Sequence, residues 1–376
     1  MPMWTSLLVL SCILCAWTAN ATPAGKQFVF PSTTKYPLPN QGNVRAHDPN
    51  IVAYNNAFYM YKGGVHLPIH KAPALDGPWE MVGTVLDGPS IVEKGNSNRP
   101  WAPTTIERSG RFYCFYTVSS RSDRDSAIGV ASSDNPEGGG WKDHGALINT
   151  QTGPRADVWP YTVSNAIDAS YIEDQDTHKP YLLFGSFWHG IFQVPLADDL
   201  LSVEDEDHPD AKNLVYLPKR KRKPDEGSFM SYHEPYYYLW FSHGKCCHFD
   251  GDLPKAGQEY SIRVGRSRNM RGPFVDKDGV KLTEGGGSVI YGSNHGVTYA
   301  PGGLGVLPGN SSVPSDILYY HYLNASINLD EAYLGYSYLS YEDGWPSTTS
   351  NTSPQPRLSY HLLAVLLTGT LLWLCS

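Results

Sequence analysis

Along most of the chain, apolar residues recur at every second position or in short unbroken runs, and stretches with helical spacing are nearly absent. That pattern predicts strands. One theme returns five times: a short opening motif, an apolar pair, a turn, then a strand dense in aromatic rings. The copies read DPNIVAYNNAFYMYKGG from residue 48, WAPTTIERSGRFYCFYTVSS from 101, DASYIEDQDTHKPYLLFGSFW from 168, EGSFMSYHEPYYYLWFSHG from 226 and YAPGGLGVLPGNSSVPSDILYYHYLN from 299. They start about 55 to 75 residues apart, slightly more than the repeat of about 40 to 50 usual for a four-stranded blade. Each copy predicts a hairpin with aromatic alternation on its second strand. Five four-stranded sheets set radially around a channel satisfy the repeat, so the expected fold is all-β, a five-bladed β-propeller. A β-sandwich carries no such repeated opening motif.

Both ends depart from the strand pattern. Residues 4–17 form an apolar run followed by Ala19-Asn20-Ala21, an A-x-A cleavage pattern, so residues 1–21 are expected to be a secretory signal. A second apolar run covers residues 362–375, too short for the roughly 20 residues that span a bilayer. Small polar residues over 347–353 precede it. A small-residue site, a spacer and an apolar tail form the pattern of a GPI anchor, with Asn351 or Ser350 as attachment residue. The expected organisation is a signal over 1–21, one propeller domain over 22–346 and a GPI-attachment segment with a removed tail over 347–376. The expected address is secreted, at the cell membrane or wall.

Composition supports this picture. Charged residues are 18% and apolar residues 41% of 376, which excludes a disordered chain or a coiled coil. The 25 Tyr, 10 Trp, 36 Gly and 29 Pro suit many short strands joined by turns. A net charge of −8 disfavours a nucleic-acid binder. Of six cysteines, Cys12, Cys15 and Cys375 lie in the two removable segments, leaving Cys114, Cys246 and Cys247. These allow one disulfide at most: the adjacent pair joined to each other, or one member joined to Cys114. Of the N-x-S/T sequons, Asn310 and Asn324 are usable as glycosylation sites if their loops are exposed.

The repeat also carries candidate chemistry. In a propeller the innermost strands face one axis, so equivalent opening positions converge at one channel mouth. Three of the five copies open on a carboxylate: Asp48, Asp168 and Glu226. Inner strands usually present apolar residues, and three acids there in aromatic contexts point to glycoside hydrolysis, which needs one carboxylic acid and one carboxylate. Asp48, in RAHDP, is expected to be the general base. Glu226, in PDEGSF, is expected to be the general acid, kept protonated by burial and nearby negative charge. Asp168, in NAIDAS, is expected to raise the acid's pKa and orient it. Trp101, Phe187 and Trp188 are candidate stacking platforms for sugar rings, and Asn165, Ser186 and His295 candidate hydrogen-bonding partners for sugar hydroxyls.

Ten stretches in order, among them RAHDPNIV, RPWAPTTI, SNAIDASY, LLFGSFWHGI, DEGSFM, the Cys-Cys pair, GSNHGVTYAPGGLGVL and LSYEDGWP, run from residue 45 to residue 346. On these the chain resembles the family 43 glycoside hydrolases, specifically the endo-1,5-α-L-arabinanases of the fungal, GPI-anchored type. The resemblance implies an inverting mechanism with Asp48 as base, Glu226 as acid and Asp168 as pKa modulator. It implies arabinan, the neutral side chain of pectin, as substrate; the protein is expected to be a monomer. It also implies a hydrated calcium ion in the channel near His295. Zinc at Cys246-Cys247-His248 is not expected, because the ligand spacing is wrong.

Two other readings stand beside this one. An exo-acting α-L-arabinofuranosidase or β-xylosidase would use the same fold and acids. A non-catalytic surface carbohydrate-binding propeller would leave the three carboxylates unexplained. The basic run Lys219–Lys223 is a solvated loop, a dibasic processing site or an anchor for anionic galacturonan.

Overall fold

A computed structural model describes residues 37, 40–42, 44–120, 123–219, 223–249, 253–294, 297–310 and 315–348. The expected signal, the attachment residues Ser350 and Asn351, residues 220–222 of the basic run and His295 lie outside the described residues.

The chain forms five four-stranded antiparallel sheets, each built from consecutive strands. Blade I comprises β1 (Asn50–Tyr54), β2 (Ala57–Tyr61), β3 (Pro68–Ala72) and β4 (Glu80–Thr84). Blade II comprises β5 (Trp101–Arg108), β6 (Arg111–Val118), β7 (Ala127–Ser133) and β8 (Lys142–Asn149). Blade III comprises β9 (Ser170–Glu173), β10 (Pro180–Phe184), β11 (Ile191–Pro195) and β12 (Lys212–Val215). Blade IV comprises β13 (Asp225–His233), β14 (Tyr236–His243), β15 (Ser261–Ser267) and β16 (Ser288–Tyr291). Blade V comprises β17 (Thr298–Leu307), β18 (Ile317–Asn324), β19 (Ala332–Glu342) and β20 (Trp345–Thr348). The five sequence copies coincide with the first hairpins of the five blades.

The apolar core is divided by this architecture. One buried cluster sits between each pair of neighbouring blades, including blades V and I. The second strands β10 and β18 are therefore buried along their whole length, with β6 and β14 nearly so. Simple alternation was the expectation for these strands. They pack on a neighbouring sheet at each face, so residues of both parities meet protein. The ring closes through the segment ahead of β1. Ala46 N donates to Ala332 O at 3.0 Å and Leu334 N to Val44 O at 2.7 Å, so this segment pairs with β19.

One buried cation ties blade II together. The Lys94 side chain is 6% exposed and donates to Asp125 Oδ1 at 2.6 Å, to Thr150 O at 3.0 Å and to Thr152 O at 2.7 Å. Removing the ammonium leaves a carboxylate and two carbonyls short of a donor. Asp125 is one-third exposed, which moderates the loss. Lys94→Met is expected to cost about 2–3 kcal/mol and to lower the melting temperature by several degrees. An unchanged melting temperature would contradict that account.

Candidate active site

Every blade enters its innermost strand through a residue with positive φ: Asp48 at 47°, Ala102 at 40°, Asp168 at 57°, Gly227 at 56° and Ala300 at 49°. Four of these are not glycine, and such a backbone costs of order 1 kcal/mol or more at each. The repeated bend turns each chain start toward the axis. It sets Asp48, Asp168 and Glu226 at one end of the channel, as the sequence predicted. A cavity of about 370 Å³, counting its open mouth, is lined by the innermost segments of all five blades, including Asp48, Ala102, Asp168, Gly227 and Gly303.

Asp48 lies between two histidines. His47 Nδ1 is 3.0 Å from Oδ2, and His321 Nδ1 is 3.2 Å from Oδ1. His321 Nδ1 also lies 3.1 Å from the Asp48 backbone N. A neutral imidazole serves one of these at a time, as acceptor from the N–H or as donor to the carboxylate. Burial favours a neutral Asp48, but the charge of His47 and the contacts to both rings outweigh it and hold the carboxyl far below its ordinary range. The His47 side chain is half exposed, and Asp48 first, then Glu226, raise its pKa. His321, fully buried and beside His47, is pushed down. Gly303 makes the close approach possible: with φ 53°, it lies where a Cβ would strike Asp48 Oδ1 and the His321 ring.

Glu226 is buried and hydrogen-bonded at both oxygens. Ser186 Oγ donates to Oε2 at 2.5 Å and Tyr260 Oη to Oε1 at 2.7 Å. Burial raises its pKa and Asp48 adds to the rise, against the two hydroxyl donors and His47. Asp168 is raised strongly, by burial first, then by Glu226 and Asp48. Its Oδ2 accepts the Gly227 N–H at 3.1 Å, so it grips the backbone next to Glu226. Its own N–H donates to Thr117 Oγ1 at 3.1 Å. The mouth therefore holds one carboxylate fixed as an anion and two that resist ionising together.

The other sequence candidates divide. Trp101 opens β5 and is half-buried, and Phe187 is half-buried in the β10–β11 loop beside the exposed Trp188. Asn165 is buried, and its Oδ1 has no hydrogen-bond partner among the described residues. Ser186 departs from its expectation: the residue is 2% exposed and its hydroxyl donates to Glu226 instead of facing the open channel. Asn310 is exposed. Asn324 fails its condition, because it is buried and its Oδ1 accepts from Ser326 N and Oγ. Of the basic run, Lys223 is committed to Tyr216, with Nζ 4.0 Å above the ring centre and donating to the hydroxyl at 2.5 Å. His47, His321 and Tyr260 were not assigned roles from sequence, although His47 lies in RAHDPNIV and His321 in the copy that starts at residue 299.

The calcium expectation is tied to His295, which lies outside the described residues. Among the described residues, His47, Asp48 and His321 form a cluster able to hold a cation. It offers two imidazole nitrogens and one carboxylate whose oxygens already face those nitrogens, whereas calcium takes six to eight oxygens.

Residues 42–346 match glycosyl hydrolases family 43. The chain is 57% identical over 351 residues to the probable arabinan endo-1,5-alpha-L-arabinosidase D of Emericella nidulans, covering 93% of this chain and 91% of that protein. A solved structure of Cellvibrio cellulosa alpha-L-arabinanase complexed with arabinohexaose superposes with TM-score 0.70 at 25% identity, over 82% of this chain and 96% of that one. An exo-1,5-alpha-L-arabinanase from a bovine ruminal metagenomic library superposes equally well, at TM-score 0.70 and 25% identity, over 82% of this chain and 97% of that one.

Proposed function

The chain belongs to glycosyl hydrolases family 43, and from that premise we propose that it hydrolyses α-1,5-L-arabinofuranosidic bonds within arabinan by single displacement. The observation that carries the reading is the division of charge at the mouth: Asp48 held ionised by two histidines, Glu226 held toward its protonated form by burial. The relative with 57% identity bears the name of that activity.

Asp48 takes a proton from a water as its oxygen attacks the anomeric carbon. The glycosidic C–O bond breaks, and Glu226 gives its proton to the departing oxygen. Attack and departure on opposite faces invert the anomeric centre. Afterwards Asp48 returns its proton to solvent and Glu226 takes one up, so the site ends with the charge it began with. Ser186 and Tyr260 fix the acid's direction. Asp168 disfavours a second negative charge beside Glu226 and anchors Gly227. Trp101, Phe187 and Trp188 are assigned to furanose faces and Asn165 to a ring hydroxyl.

The test is product analysis on linear, debranched arabinan. Short arabino-oligomers are expected first, with the inverted anomer in the earliest NMR spectra. Arabinose alone would overturn the endo reading in favour of an exo enzyme, and a retained anomer would overturn the mechanism.

The reading extends to the protein's address, on sequence alone. Signal cleavage after Ala21 and lipid attachment at Asn351 or Ser350 would place a monomeric catalytic domain at the outer cell surface, where pectic arabinan is met. A phospholipase that cleaves GPI is expected to release the protein from membranes, and no release would refute the anchor.

A further inference from the structure

The reaction above makes no use of the Cys246–Cys247 pair. The two sulfurs are bonded to each other, while Cys114 is a buried free thiol on β6. Of the pairings open to the sequence, the vicinal one forms. Its ring has two environments. Cys246 packs against a small apolar cluster that includes Phe249, Tyr260, Tyr299 and Leu323. Cys247 Sγ lies 3.8 Å from His47 Nε2, the ring nitrogen turned away from Asp48. Both cysteines are half-buried, so the ring stays partly exposed beside His47.

The neighbouring backbone ties this ring to the acid as well. Lys245 N donates to Gln258 O at 2.8 Å, and Tyr260 N donates to Lys245 O at 2.9 Å. Tyr260 is the residue whose hydroxyl bonds Glu226. The disulfide thus sits on a short paired segment that touches the acid's support on one side and the base's support on the other.

The two side chains that pair with Asp48 are imidazoles. A furanose ring placed there presents C–H groups as well as hydroxyls, and the C–H face needs an apolar, polarizable surface. Disulfide sulfur supplies one, fixed by covalent closure instead of by packing alone. We propose that the Cys246–Cys247 disulfide is a substrate-contact wall, whose exposed part packs on the arabinofuranose unit held over Asp48 while its inner contact steadies His47. The inference rests on the arabinan reading and adds a contact surface to it.

The experiment compares steady-state kinetics on an arabino-oligosaccharide for the wild type and the Cys246→Ser/Cys247→Ser double variant. A second arm treats folded wild type with a water-soluble phosphine. The phosphine gives two electrons to the disulfide and takes the oxygen of a water to become its oxide, the water's two protons go to the two sulfurs, and thiol titration counts the two thiols gained. Loss of one shaped apolar contact is expected to raise KM about tenfold with kcat within about threefold. Removal of the phosphine and reoxidation should restore KM. A folded double variant or a fully reduced enzyme with unchanged KM would overturn the proposal. So would a fall in kcat and melting temperature together at constant KM, the mark of a purely structural bond. A wild type that leaves arabinan intact would overturn the functional reading itself, whereas an active wild type with an indifferent variant overturns the wall alone.

Discussion

Glu226→Gln is expected to lower kcat on arabinan by about 10³- to 10⁴-fold while the protein stays folded. The amide keeps the shape of the side chain and can still meet the hydroxyls of Ser186 and Tyr260. What disappears is the proton that burial holds on the carboxyl. The loss should depend on the leaving group. An arabino-oligosaccharide carrying an acidic phenol departs without protonation, so on that substrate the variant should keep most of its rate. Equal losses on both substrates would show that Glu226 is not the acid. In the wild type the same proton sets the alkaline limb of the pH profile. Burial and the charge of Asp48 raise the Glu226 pKa, so activity should persist above the ordinary carboxylate range and fall as pH rises through the raised value.

The dependence of this site on the fold explains which parts were legible in the sequence. The five blade starts could be read because each is local: an opening motif, a hairpin and a ring-rich second strand lie within a short stretch. The positions of Asp48, Asp168 and Glu226 then followed from equivalence around an axis. The clamp on Asp48 could not be read that way. His321 is 273 residues from Asp48, and the two meet because blade V closes against blade I. The Ser186 hydroxyl turns toward Glu226 by a rotation that no spacing rule encodes. Asn324 carries a sequon, but the end of β18 is buried, and a three-residue motif holds no information on burial. The burial of both faces of β18 has the same origin, because it depends on having a sheet on either side.

Asp48→Asn is expected to remove activity more uniformly than the loss of the acid. Asp48 has a lowered pKa, whereas those of Asp168 and Glu226 are both raised, so neither is a ready substitute for it. An attacking water then has no base, and kcat should fall by about 10³-fold or more on arabinan and on the aryl substrate alike. A large loss on the first with little on the second would assign Asp48 the acid's part and reverse the scheme. The residual rate carries a further signature. The charge of Asp48 is one cause of the raised Glu226 pKa, so neutralising it lowers that pKa and moves the alkaline limb to lower pH. The acid limb should respond differently. In the wild type, His47 and His321 keep Asp48 ionised far below the usual range, so its protonation cuts the rate only in strong acid. With asparagine that titration is absent, and the residual rate should show no fall from this source as pH drops. His47 loses its strongest favourable partner in the same variant, and its pKa, raised mainly by Asp48, should move down in a histidine-resolved NMR titration. An alkaline limb and a His47 titration that both stay in place would mean that the coupling between base, acid and clamp does not operate.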